Sequence, residues 1–100
     1  MISARFHLAA LDEIEAEWAR YTDIHPMLGE AFTDSIEQAL RLAREFPEMG
    51  SPYLHGTRRV FPKRFPHSLV YLHRNDEVFV VAVAPFKRKP AYWKLRTSEG

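Results

Sequence analysis

Cysteine is absent from this 100-residue chain, which leaves no disulfide framework and no thiolate metal site and suits a reducing compartment. Glycine is scarce, at 4 residues, and no group of them forms a loop able to cradle phosphates, which argues against a nucleotide-binding enzyme. No apolar run is long enough to span a bilayer. The opening MISARFHLAALDEIEAEW meets acidic residues before any sustained apolar stretch, so it is not read as a signal peptide, and a cytosolic location without membrane partners is expected. There is no repeat and no low-complexity tract. The histidines His7, His25, His55, His67 and His73 form no helical i, i+4 pair and have no companion carboxylate motif, so no metal or cofactor is expected and they are read as surface or turn residues. His67 and His73 have the chemistry to act as acid or base near neutrality, His67 beside a basic cluster. Ser68 lacks the setting of a hydrolase nucleophile.

What the chain does contain is charge sorted by position. The net charge is only +1, but residues 1–50 hold four Lys/Arg against ten Asp/Glu, whereas residues 51–100 hold ten against three. An acidic half at −6 is thus joined to a basic half at +7, a distribution with a strong dipole. Nucleic acid, an acidic protein surface and an acidic peptide are all partners such a basic half attracts, and mutual neutralisation of the halves is the plain alternative.

A chain of this length is expected to be a single domain over residues 1–100. Ile2 to His7 alternates as a first strand. Leu11, Ile14, Trp18 and Tyr21 recur at three- and four-residue spacing and predict an amphipathic helix from Leu8 to about Tyr21. Asp23 to Pro26 is a turn, with Pro26 suited to the first position of a second helix that runs to about Phe46 on a stripe of Leu28, Phe32, Ile36, Ala39, Leu40 and Ala43. Pro47 ends it. After an irregular connection from Glu48 to Gly56, Arg58 to Phe61, Ser68 to His73 and Glu77 to Ala84 are strands, with Asn75-Asp76 at the place of a tight hairpin turn. The expected fold is α+β: an N-terminal strand, an antiparallel helical hairpin, then a three-stranded antiparallel segment completing one mostly antiparallel sheet.

That order, together with RRVFPKRFPHSLVYL and VVAVAPFKRKPAYW, resembles the RelE/ParE superfamily of toxins from type II toxin-antitoxin pairs. The likeness lies in a basic strand leading into Phe65-Pro66-His67-Ser68-Leu69-Val70-Tyr71, and in a valine-rich strand ending in Ala82-Val83-Ala84-Pro85-Phe86-Lys87-Arg88-Lys89-Pro90. RelE-like members cut messenger RNA in the ribosome, a chemistry that needs a base, cations on the phosphate and a donor for the leaving oxygen. The resemblance makes Lys63, Arg64, Arg88 and Tyr92 the candidates for that reading. However, Ser68 stands where the ribonuclease branch usually has an arginine, and serine supplies no permanent cation. The FPHSLVY form and the ending resemble the ParE branch, which inhibits DNA gyrase. The resemblance therefore implies a gyrase-inhibiting toxin of a plasmid-stabilising type, with ribosome-dependent mRNA cleavage as the alternative and a non-toxic binding remnant as a third reading.

The target surface implied is the basic strand end with the tail: Arg58, Arg59, Lys63, Arg64, Lys87, Arg88, Lys89, Tyr92 and Trp93. A cognate antitoxin is the implied partner, in a hetero-oligomer, through Trp18, Tyr21, Phe32 and Ile36 on the helical hairpin. Each group also has a structural reading. The arginines and lysines serve as a solvated edge that resists aggregation, Tyr71 and Tyr92 as packing residues, and Trp93 as cover for the sheet edge.

Overall fold

The computed structural model describes residues 1–99. Strand β1 (Ser3–Phe6) leads into helix α1 (Leu8–Ile24) and helix α2 (Pro26–Glu45), followed by β2 (Ser51–Pro52), β3 (Arg58–Val60), β4 (His67–Arg74) and β5 (Glu77–Pro85). Short 3₁₀ turns at Leu54–Gly56 and Lys94–Ser98 complete the chain. Two histidines define the helix starts. His7 accepts from the Ala9 amide through Nδ1 at 3.0 Å. His25 accepts from the Met27 amide at 3.1 Å, while its own N–H donates to the Tyr21 carbonyl at 3.0 Å. One residue thus closes α1 and caps α2, with Pro26 at the first helical position, and the expected four-residue turn contracts to His25. The helices cross closely at Gly29, where a Cβ would collide with the Thr22 hydroxyl.

The strands form one sheet in the order β1-β5-β4-β3-β2. β5, β4, β3 and β2 pair antiparallel, as the sequence leads one to expect, while β1 returns to lie parallel to β5. The sheet is therefore mixed. The two-residue β2 has no sequence signature because proline interrupts it. Asn75 (φ 52°) and Asp76 (φ 55°) are both left-handed, the conformation of a type I′ hairpin turn.

Both faces of the sheet are covered. On one, Leu69, Tyr71, Val78, Val80 and Val83 pack with Ala10, Tyr21, Phe32, Ile36, Ala39 and Ala43 of the helices. On the other, Val70, Phe79, Val81 and Ala82 pack under Trp93. Burial on both sides explains why β5 is an unbroken apolar run rather than an alternating one. Alternation also slips once: Val70 pairs with Ala82 but Tyr71 with Val80, which makes Val81 a bulge. On α1 the buried line differs from the expected stripe. Ala10 and Tyr21 are buried, but Leu11 and Trp18 remain 45% and 44% exposed.

Candidate functional site

The far ends of β4 and β5, the connection before β4 and the segment after β5 enclose a groove of about 400 Å³. Ser68, Val70 and Ala84 line it from the sheet, with Tyr53, Arg59, Phe61, Phe86, Arg88, Lys89 and Tyr92 around them. Arg59 sits on β3 opposite Val70. Its guanidinium lies 3.9 Å from the Tyr53 ring centroid and 5.0 Å from that of Phe61, and its buried Nε has no hydrogen-bond partner. The Arg88 guanidinium stacks 3.6 Å over Tyr92. Phe61 and Phe86 meet edge-on at 6.0 Å. No aspartate or glutamate lines the groove, and none of Arg59, Arg88 or Lys89 joins an ion pair among the described residues.

One wall is set by a carboxylate that local sequence did not single out. Glu13 of α1 accepts from the Val83 amide at 3.0 Å and from the Tyr92 hydroxyl at 2.6 Å, and lies 3.1 Å from Arg96 Nη1. Arg96 in turn donates to the Val81 carbonyl at 3.0 Å. β1 pairs with β5 only as far as Val80, so Glu13 and Arg96 satisfy the backbone of β5 beyond the end of its neighbour. Burial, followed by the hydrogen bond and charge of Glu13, raises the Tyr92 pKa well above the usual phenol value. The Tyr92 hydroxyl is committed to Glu13, which holds Tyr92 in the groove wall.

The structure divides the residues expected at the target surface. Arg59, Arg88, Lys89 and Tyr92 meet in the groove, whereas Arg58, Lys63, Arg64 and Lys87 do not line it. Arg58 donates to the carbonyls of Glu48 and Gly50, each at 2.8 Å, and so ties down the connection after α2. The Lys63 carbonyl accepts from Ser35 at 2.7 Å. Arg64 occupies a left-handed turn position (φ 77°). Trp93 lines the groove floor but is 1% exposed, so it plugs the second core instead of presenting a ring to a target. Of the four residues Lys63, Arg64, Arg88 and Tyr92, only Arg88 and Tyr92 line the groove. Of the residues assigned to an antitoxin, Tyr21, Phe32 and Ile36 are buried in the helix-sheet core, which corrects that expectation and leaves Trp18 exposed.

Lys87 instead borders a second pocket of about 370 Å³ with Glu17, Arg20, Tyr21 and His67. His67 is 1% exposed rather than at the surface. Its ring packs 5.5 Å from Phe32. Nε2 lies 3.3 Å from Glu17 Oε2, close enough for charge attraction but not aligned as a hydrogen bond, so both ring nitrogens are unpaired. Burial lowers the His67 pKa, and Glu17 restores only part of the loss. For Glu17 burial is outweighed by Arg20 and His67, so its carboxyl lies below the ordinary value. Among the described residues no three His, Asp or Glu side chains converge as metal ligands, and no helix is long and apolar enough to cross a membrane.

The chain is thus a small α+β domain with a cationic, aromatic groove at one end of its sheet. Residues 4–90 match the family described as ParE toxin of type II toxin-antitoxin system, parDE, and the chain belongs to that family. Among solved structures, a chain of the chromosomal ParDE toxin-antitoxin system from P. aeruginosa superposes with a TM-score of 0.74 at 19% identity, covering 85% of this chain and 96% of that one. Comparison with curated proteins returns no match.

Proposed function

We propose that this ParE-family protein inhibits DNA gyrase in the cytoplasm and is neutralised by a cognate antitoxin. The observation that carries this over RNA cleavage is the state of Tyr92. Its hydroxyl is held by Glu13, and two of the basic candidates for cleavage, Lys63 and Arg64, do not line the groove, which supports a surface that holds a target rather than cutting one. Ser68 lines the groove where a ribonuclease would place a cation. The target-binding residues are Arg59, Arg88 and Lys89, with Tyr92 fixing the plane of Arg88. The antitoxin lies along the exposed flank of α1 at Leu11 and Trp18, which are seven residues apart and share one face.

The test is a purified gyrase supercoiling and cleavage assay, with the protein alone and with its antitoxin, beside a ribosome-dependent mRNA cleavage assay. Gyrase inhibition relieved by antitoxin is the expected result. Message cleavage with untouched gyrase would overturn the reading, and silence in both assays would leave only a binding remnant.

A further inference from the structure

We propose that the groove between Arg59 and Arg88 holds one nucleotide of a DNA strand, its phosphate on the two arginines and Lys89 and its base against the Phe61–Phe86 rim. The assignment of the strand as DNA rests on the gyrase reading above; the nucleotide chemistry rests on the groove.

Four observations converge. First, the cations are prepared for an anion. Two guanidiniums lie over aromatic rings, 3.9 Å and 3.6 Å from their centroids, contacts that limit the side-chain freedom lost on binding, and each carries the fork that pairs with phosphate oxygens. Second, no carboxylate in the lining competes for these charges. Third, the rings are divided by role. Arg59 lies over Tyr53 and, farther off at 5.0 Å, Phe61, while Arg88 lies over Tyr92. Trp93 is buried, whereas Phe86 is 57% exposed beside Phe61 at 49%, an apolar rim suited to one planar base.

The fourth observation separates a nucleotide from an acidic peptide. The groove lies over β4, which is hydrogen-bonded to β3 on one side and β5 on the other, so an extended peptide finds no free strand edge there to pair with. A volume of about 400 Å³ lies in the range of ordinary small-ligand sites. With Tyr92 committed to Glu13, a strand is held intact.

The test is fluorescence anisotropy of the full-length protein with a 5′-labelled single-stranded DNA 12-mer. The same oligonucleotide carrying an abasic centre, its RNA counterpart and poly-glutamate serve as comparators. Stacking and phosphate contacts of this kind lead us to expect about tenfold weaker DNA binding for Phe86→Ala, with abasic DNA nearly unaffected. Arg59→Lys, which keeps the charge and loses the fork, and Arg88→Ala are each expected to weaken both by a similar factor. One neutralised phosphate gives a log-affinity against log-salt slope of about −0.7 on single-stranded DNA, and Arg88→Ala makes that slope shallower. Arg41→Ala, on α2, leaves binding unchanged, and thermal melts establish that each variant is folded.

No binding, equal weakening by Arg41→Ala, tighter binding of RNA than of DNA, or displacement of DNA by lower concentrations of poly-glutamate would each overturn the proposal. Supercoiling assays on the same proteins keep the two readings apart. Gyrase inhibition retained by a Phe86→Ala, Arg88→Ala double variant that no longer binds DNA would sink the groove and leave the gyrase reading standing. DNA binding by a protein inert toward gyrase would do the reverse.

Discussion

Glu13 joins three parts of the chain through one side chain: α1, the unpaired length of β5 and the tail. Glu13→Ala leaves the Val83 amide and the Tyr92 hydroxyl without their acceptor, and we expect a loss of about 2–3 kcal/mol in chemical denaturation. Because Tyr92→Phe removes one of the same bonds, the double variant is expected to fall short of the sum of the singles. Additivity would show that the two residues act independently. His67 supplies a pH dependence. Its folded-state pKa is lowered, burial first, with Glu17 opposing, so the unfolded chain takes up the proton first as pH falls. Stability therefore declines below about pH 6.5 until the folded ring is protonated as well. The lowered Glu17 pKa acts at more acid pH, its contribution being present above the ordinary carboxyl value and lost as pH falls through the folded one. His67→Phe keeps the ring volume among Tyr21, Phe32 and Phe65, and urea midpoints from pH 5 to 8 should lose most of their slope in that variant.

Individual elements carry their own constraints. The β4-β5 hairpin turns through two left-handed non-glycine residues, Asn75 and Asp76. Asp76→Gly creates the Asn-Gly pair that a type I′ turn favours. Relief of the side-chain cost at positive φ should raise stability by about 0.5–1 kcal/mol, read from the denaturation midpoint. On α1 the amphipathic period was legible but its phase was not, because a helix beside a sheet end turns Glu13 and Glu17 toward polar partners and rotates Leu11 and Trp18 outward. An exposed indole contributes little to packing, so Trp18→Ser is expected to change stability by no more than about 0.5 kcal/mol. The same change should weaken antitoxin binding in a titration of the two purified proteins. Unchanged affinity would remove the α1 flank from the antitoxin surface.

At the scale of the molecule, the second core governs stability in a way the family match does not cover, since that match ends at residue 90, before Trp93. The Trp93 ring closes the face formed by Val70, Phe79, Val81 and Ala82. Trp93→Ala should cost about 3–5 kcal/mol, with a cooperative loss of the whole sheet on heating followed by far-ultraviolet circular dichroism. The charge segregation also acts globally. The acidic half forms β1 and the helices, the basic half the rest of the sheet and the tail, and Glu13–Arg96 is one of the pairs that join them, while the groove stays cationic. Replacing Lys87, Arg88 and Lys89 together by alanine should reduce growth arrest without unfolding the protein. Unchanged arrest by a folded triple variant would exclude that cluster from the active surface.

Most of the elements were legible because their causes are local: apolar periods of two and 3.6 residues, Pro26 and Pro47 at the ends of a helix, Asn75-Asp76 at a turn. The basic end of the sheet was also legible, since Arg58 to Arg64 and Lys87 to Lys89 flank apolar strands in sequence. What tertiary structure decided was which of these cations share a space. Arg59 joins Arg88 and Lys89 because β3 sets it opposite Val70, while Arg58, one residue earlier, points its charge to carbonyls after α2. The parallel return of β1, the role of Glu13 and the burial of His67 depend on residues about 70 apart or on the packing of helix against sheet. Sequence alone determined the alphabet of a basic, aromatic surface. Only long-range packing determined that two ring-stacked arginines and an exposed aromatic rim line one groove, because side chains adjacent along a strand point to opposite faces and only the fold chooses between them.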